Sequence, residues 1–357
     1  MVCPLALPSS ELPIVLAPMA GSSTVELVVA VCEAGGLGIL PCAYATPEQV
    51  VAHVAAVRAG TKRPFGVNLF VERQPYEPDA ARIAASHERL HAYRQELGIP
   101  HPSVPAVPPE HYAAQIDAVI EARPALFTFT FGIPEAATLA RFRAARIPVM
   151  GTATTVAEAR ALKDAGVDGI VAQGAEAGAH RGTFLAPVAE SLVGTLALVP
   201  QVVDAAGLPV FAAGGIGDGR GIAAVLALGA TAAAVGTSFL LAREAGISQA
   251  HRAALRSERA AQTILTRVFS GRPARGIPNR ATRELRDPED VAPYPFQNAM
   301  TRDIRNAAAA QANPEFLALW AGQAAPLARE AAARDIVARL MREARAAVEG
   351  AAHRLQP

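Results

Sequence analysis

The sequence predicts an α/β protein built on a (β/α)8 TIM barrel, and three observations carry that expectation. Short apolar runs recur eight times, stretches of helical period separate most of them, and glycine or polar residues follow their ends. Near-continuous apolar strands are buried on both faces, which calls for a parallel sheet covered by helices. Eight such units favour a closed barrel over an open doubly wound sheet, the alternative arrangement.

Taken in order, the runs fall at 14–17, 37–40, 65–69, 126–130, 149–152, 169–172, 210–213 and 233–235. Helices are expected at 25–34, 47–58, 155–165, 199–206 and 220–228, several opened by a Thr or Asp suited to an N-cap. Two places break the rhythm. Residues 71–109, after the third strand, hold seven prolines around one polar helix expected at 81–97. An insertion of that length on a barrel's catalytic face reads as a lid or substrate wall. Beyond residue 240 no further strand pattern is evident, and helices are expected at 251–265, 314–321 and 326–348 around an irregular stretch at 270–295. The chain therefore divides into a barrel over 1–240 and a helical C-terminal region over 241–357 that packs on it and contributes to the pocket.

Composition narrows the partners. A net charge of +1 with interspersed signs provides no footprint for nucleic acid, so small molecules are expected. Cys3, Cys32 and Cys42 lack metal-type spacing, as expected of free thiols in a reducing compartment. The N-terminus lacks a basic region and a sustained apolar segment, and no later run approaches the ~18 apolar residues of a membrane span. A soluble cytoplasmic protein without membrane contact, monomer or homodimer, is the expectation.

The chemistry concentrates after the sixth strand. Residues 172–183 place Gln173, Glu176, His180 and Arg181 among Gly174, Gly178 and Gly182. Such glycines let a ligand approach the main chain, and an imidazole among small residues can act as acid, base or hydrogen-bond partner near neutral pH. Gly214-Gly215 after the seventh strand and Gly236-Thr237 after the eighth match the barrel's habitual phosphate site. The first strand ends in Ala17-Pro18-Met19, and Asn68 ends the third, on the same face. Amides such as Asn68 and Gln173 donate and accept, which suits the edge of a heteroaromatic ring. Gly35-Gly36-Leu37-Gly38 precedes a strand, so a helix C-cap explains it better than a dinucleotide fingerprint.

Other chemistries are disfavoured. The two lysines, Lys62 and Lys163, do not stand at strand C-terminal ends, as a Schiff-base aldolase barrel requires, and no G-x-S-x-G elbow occurs. His87-Glu88-Arg89-Leu90-His91 matches H-E-x-x-H, with Glu110 or His111 as conceivable third ligands. Its helix is polar and sits inside the proline-rich insertion, so a solvated lid helix without metal is the expectation.

Ala17-Pro18-Met19-Ala20-Gly21, Gly66-Val67-Asn68-Leu69-Phe70, residues 173–182, Ala213-Gly214-Gly215-Ile216 and Gly236-Thr237 together resemble the nitronate monooxygenases. The likeness spans nearly the whole chain. It continues through Phe131-Gly132-Ile133-Pro134, residues 270–276, Tyr294-Pro295 and residues 319–323, which look like class I members. The resemblance implies a barrel holding FMN non-covalently and oxidising alkyl nitronates, of the propionate 3-nitronate type, with O2 to an aldehyde or ketone plus nitrite. By that likeness His180 is the catalytic residue, and Asn68 and Gln173 meet the flavin. Gly215, Gly236 and Thr237 hold its phosphate, with Ala17, Pro18, Met19, Gly178 and Gly214 completing the cofactor site. Tyr294 and Arg302 face the substrate. The sequence departs from the pattern at Ala179, where many relatives have glycine, and at Asn298, where some carry an aromatic. Rival readings are an FMN-dependent NAD(P)H enoyl or quinone reductase, a zinc hydrolase using His87 and His91, and a non-catalytic flavin barrel.

Overall fold

A computed structural model of the chain describes residues 4–71, 79–106, 111–286 and 291–356. Its strands are β1 (Ile14–Leu16), β2 (Leu37–Pro41), β3 (Phe65–Phe70), β4 (Leu126–Thr130), β5 (Val149–Ala153), β6 (Gly169–Gln173), β7 (Ala179–His180), β8 (Val210–Ala213), β9 (Ala232–Val235), β10 (Ile264–Thr266) and β11 (Ala274–Gly276). Eight of them close a parallel barrel in the order β1-β2-β3-β4-β5-β6-β8-β9. Closure is made where Ile14 and Leu16 stand opposite Ala233 and Val235. The barrel is a (β/α)8 fold, and every run expected to be a barrel strand is one.

Local chemistry explains the helices that cover it. Thr24, Thr46 and Thr155 each accept a backbone N–H three residues on, and Thr46 forms a reciprocal box with Gln49. Asp218 caps the helix Gly219–Ala227 by accepting from the Arg220 N–H, two residues on. The bore is filled by Val15, Leu37, Ile39, Leu126, Met150, Phe211, Ala232 and Ala234. A larger apolar layer lies between the strands and the helices. Cys32 and Cys42 are free and buried, and no helix among the described residues is long and apolar enough to cross a membrane.

The C-terminal region departs most from expectation. The helix expected at 251–265 is confined to Gln249–Arg256, and the chain then forms a 3-10 turn and β10. At 314–321 only the turn Pro314–Phe316 is helical, and Trp320 instead bridges to Gly276. The last helix starts later than expected and runs over Ala333–Leu355. Strands were not expected here at all, yet β10, β11 and β7 make a three-stranded sheet. Elements of two or three residues are too short to show a hydrophobic period, so pattern alone does not reveal them. The last helix returns to the barrel wall, where Ile336, Val337, Leu340 and Ala344 join the main core.

The insertion packs on this region through a second core. Ile83, Leu90, Tyr93 and Leu97 meet Val268, Phe269, Ile277, Phe316 and Leu319. The single helix expected at 81–97 is two, Ala80–Arg89 and His91–Glu96, which share one buried side. Arg94, fully buried, clasps the Asp303 carboxylate at 2.8 Å and the Met300 carbonyl at 2.6 Å. Prolines 75, 78, 108 and 109 of the insertion, Glu110 and Cys3 lie outside the described residues.

The closest joint between the last helix and the barrel is Gly219, where an added Cβ would fall 2.2 Å from the Ala344 nitrogen and 2.4 Å from the Leu340 carbonyl oxygen. Both are main-chain atoms in a helix and cannot yield cheaply. Gly219→Val is expected to destabilise the protein by at least about 1–3 kcal/mol, measured by urea unfolding. An unchanged midpoint would refute this packing.

Candidate active site

The site is built on the loop that leaves β6, and buried charges shape that loop. Arg181, fully buried, donates to the Gly174 carbonyl at 2.6 Å and to the Gln173 and Ser191 carbonyls at 3.2 Å. Burial and neighbouring Arg275 lower its pKa to about 10, so it remains a cation at neutral pH. Arg275 donates to the Ala175 carbonyl at 3.0 Å. Glu158, also fully buried, accepts from the Thr154 N–H and hydroxyl at 2.7 Å, from the Thr183 hydroxyl at 2.9 Å and from the Leu185 N–H at 3.1 Å. Charged groups taken out of water need such saturation.

Gln173 braces the same loop. Its amide donates to the His180 carbonyl at 3.0 Å and accepts from the Gly182 N–H at 2.8 Å. From the other side β7 pairs with β11, placing His180 opposite Ala274 and Ala179 opposite Arg275. Ala179 lies at φ +59°, a conformation that costs a residue with a Cβ about 1–2 kcal/mol. The departure from glycine noted at this position is thus a strained one, held by the strand pairing.

The imidazole of His180 stands among the rings of Phe70, Phe131, Tyr294 and Trp320, with centroids 5.6 to 6.2 Å away. Its Nε2 is 2.8 Å from the Ser270 hydroxyl, which itself donates to the Arg272 carbonyl at 3.0 Å. Ser270 therefore accepts, Nε2 carries the proton, and Nδ1 is left with the lone pair. Desolvation first, then the charges of Arg272 and Arg305, push the His180 pKa down to about 3. The ring is neutral throughout the physiological range.

Two cations flank this ring. The Arg272 guanidinium lies 3.8 Å over the Phe131 ring. Arg305 is held by the Asn298 carbonyl at 2.9 Å and the Asn298 side-chain oxygen at 3.0 Å. Arg302, expected to face the substrate, is instead an exposed residue at the start of its helix, and it is Arg272 and Arg305 whose charges reach His180. Arg302 and Arg305 are one turn apart on the same side of that helix, and Arg305 is the more buried of the two. Tyr294 is at the site as expected, hydrogen-bonded to Tyr44, with Arg302, Arg305 and Arg272 acting on that tyrosine. Sequence reasoning missed Tyr44 and Arg305; Asn298 was noted as a departure, and its work is to hold Arg305.

Around the barrel mouth the remaining residues form a close cradle. Gly214 and Gly215 follow β8 with φ of +108° and +71°. At Gly236 an added Cβ would stand 3.3 Å from the Met19 sulfur and 3.5 Å from the Ala17 Cβ, so the ends of β1 and β9 nearly touch. Pro18 lies between those two residues. A Cβ at Gly178 would meet the Gly322 nitrogen at 2.6 Å, and the Thr237 hydroxyl accepts from that same N–H at 3.0 Å. Asn68 is buried in β3 and donates to the Thr128 hydroxyl at 2.9 Å and carbonyl at 3.2 Å, leaving its oxygen as the remaining polar atom. Glu176 is turned away to the first turn of another helix, accepting from the Thr195 N–H and hydroxyl at 2.9 Å. The helix of His87 is solvated on one side only: Glu88 and Arg89 are exposed, while His87, 3% exposed, is turned inward.

The barrel mouth thus gathers a neutral imidazole, aromatic walls and two arginines, the features of a small-molecule enzyme site. The nitronate monooxygenase family model matches residues 6–343. A probable nitronate monooxygenase of Staphylococcus aureus strain Newman is 40% identical over 338 residues, covering 94% of this chain and 95% of its own. The solved nitroalkane oxidase from Streptomyces ansochromogenes superposes with a TM-score of 0.89 at 39% identity, over 96% of this chain and 98% of that one. FabK from Thermotoga maritima follows at 0.74 and 26% identity, over 97% and 96%. The chain belongs to the nitronate monooxygenase family and is an oxidoreductase.

Two buried imidazoles make stability depend on acid. The pKa of His180 falls to about 3 and that of His251 to about 4, in both cases chiefly by desolvation, from 6.5. Above pH 6.5 neither the folded nor the unfolded state protonates them, so they contribute no pH dependence. Below it the unfolded chain takes up protons first, and stability declines as the pH falls toward those values. The ligand-free thermal midpoint is expected to drop with acidification in this window, and His180→Asn to flatten part of that slope. An unaltered slope in the variant would contradict the neutral, desolvated ring.

Proposed function

We propose that the protein oxidises alkyl nitronates with O2 to an aldehyde or ketone plus nitrite, with FMN bound non-covalently at the barrel mouth. The carrying observation is the neutral His180 imidazole set beside Arg272 and Arg305 within aromatic walls. Membership of the family and likeness to a nitroalkane oxidase support it. The arginines draw an anion into a poorly solvated pocket, where their attraction is screened little. An anion bound there offsets their charge and raises the proton affinity of His180. Nδ1 then either takes a proton from a nitroalkane carbon or holds one against a nitronate oxygen. A ring whose resting pKa is about 3 is a weak base, so preformed nitronates are the better substrates. Propionate 3-nitronate adds a carboxylate that Arg305, with Arg302 at the rim near Tyr44, would meet.

The residues fit a flavin mononucleotide. Gly214, Gly215, Gly236 and Thr237 would hold its phosphate, in a cradle where a Cβ at 236 would press on Met19 and Ala17. The Asn68 oxygen and the second amide hydrogen of Gln173 would meet the ring edge, with Ala17, Pro18, Met19 and Gly178 lining it. FMN, when bound, supplies the acceptor for the substrate's electrons and passes them to O2.

An anaerobic spectrum of the FMN-loaded protein with propionate 3-nitronate should show flavin reduction, and nitrite should appear once air is admitted. Reduction by NADH or NADPH alone would move the protein to the enoyl or quinone reductase reading. His180→Asn should retain FMN while lowering turnover about a hundredfold or more, the usual worth of general acid–base catalysis. Gly215→Asp should release FMN, because it sets bulk and negative charge beside the phosphate. Arg305→Ala should raise KM for propionate 3-nitronate more than for a nitronate lacking the carboxylate; equal effects on both would discard the carboxylate assignment.

A further inference from the structure

Three histidines of the insertion gather against one another, and none is a ring neighbour of His180. His101 packs on His87 with centroids 4.2 Å apart and stacks on His91 at 4.5 Å. His87 Nε2 lies 2.9 Å from the Pro102 carbonyl oxygen. A carbonyl only accepts, so Nε2 carries the ring proton and Nδ1 is a bare lone pair. Among the described residues that buried Nδ1 has no hydrogen-bond partner, and neither does the buried Nε2 of His101. The Glu88 carboxylate is 3.8 Å from His101 Nε2, and one ligand atom from each of His87, Glu88 and His101 lies within 4.8 Å of the others. Two unmatched buried nitrogens cost about 1–3 kcal/mol each, and a single cation between them would satisfy both.

We propose that His87 Nδ1, His101 Nε2 and a Glu88 carboxylate oxygen form a site for one divalent transition-metal ion of the zinc type. Two imidazoles and a carboxylate suit that class of ion better than calcium or magnesium, which prefer oxygen throughout. Glu88 is mostly exposed, so the remaining position is open to water. The Pro102 carbonyl orients His87 through the nitrogen remote from the metal, the arrangement that metal-ligating histidines commonly show.

The ligand set is not the one that the H-E-x-x-H spacing suggests. That motif needs one uninterrupted helix to carry both histidines, but here the first helix ends at Arg89 and the next begins at His91. His91 therefore stacks beside His101, and the proline-rich segment supplies the second nitrogen. Binding has one internal cost. Arg94 Nη1 is 3.2 Å from His101 Nδ1, and a guanidinium only donates, so the metal-free ring carries its proton on Nε2. Coordination moves that proton to Nδ1 and gives up the contact, while Arg94 keeps Asp303 and the Met300 carbonyl. The ion would tie helix Ala80–Arg89 to the segment at Pro102. The same helix reaches the pocket's supports, because the Ser86 hydroxyl donates to Gln297 at 2.7 Å, three residues from Tyr294.

The test is calorimetric titration of the full-length, tag-free protein with zinc chloride, with thermal unfolding followed in parallel. One saturable equivalent and a raised midpoint are expected in the wild type. Glu88→Gln, at an exposed position that should fold normally, is expected to weaken binding about tenfold or more. His87→Gln should abolish binding, and His91→Ala should leave it unchanged. No saturable binding in the wild type, or affinity unaltered in both Glu88→Gln and His87→Gln, would overturn the site.

Discussion

Buried guanidinium groups gather the main-chain carbonyls of the loop after β6, and the site depends on that gathering. Arg181 binds the carbonyls of Gln173, Gly174 and Ser191, and Arg275 reaches that of Ala175. A loop of small residues has little side-chain packing to hold it, and its entropy would otherwise scatter the imidazole it carries. Charged donors on neutral carbonyls are strong, directional bonds when water is excluded. With the carbonyls turned toward the arginines, His180 is left at the strand pairing of Ala179–His180 with Ala274–Gly276, its own carbonyl tied by Gln173.

The same economy of charge sets the chemistry. No carboxylate is among the groups that act on the imidazole; Arg272 and Arg305 are, and with desolvation they keep it neutral. The buried acid Glu158 is saturated by backbone and hydroxyl donors and anchors the far end of the loop. Beside the imidazole the net effect of these groups is positive: Arg272 and Arg305 both lower its proton affinity. The supports of that pocket run outward: Asn298 holds Arg305, and Gln297 meets Ser86 of the insertion. The insertion and the C-terminal region are thereby one packed unit through the second core.

Much of the site was readable along the chain because strand ends converge in a barrel. Ala17, Gln173, Gly214 and Gly236 each stand at or just beyond a strand's C-terminal end, Asn68 lies two residues before the end of β3, and barrel closure brings such ends to one face. Arg305 and Tyr44 could not be found that way. Arg305 belongs to a helix far along the chain, where the sequence pointed to Arg302 one turn earlier, and burial in the folded chain distinguishes the two. Tyr44 sits in the short connection after β2, where nothing local marks it as a neighbour of Tyr294. Glu176 had the right chemistry and spacing for the polar cluster, yet its carboxylate serves the Thr195 helix end.

Hydrophobic period, glycine position and capping residues are local quantities, and they settled the barrel and the eight strands that close it. The short strands β10 and β11, the neutral state of His180 and the meeting of His87 with His101 depend on pairings between distant segments. Such pairings leave no period in the chain. They exist because folding removes water from charged and aromatic groups far apart in the chain, as Arg94 and Asp303 are at 209 residues, and desolvation has no value until the partners have met.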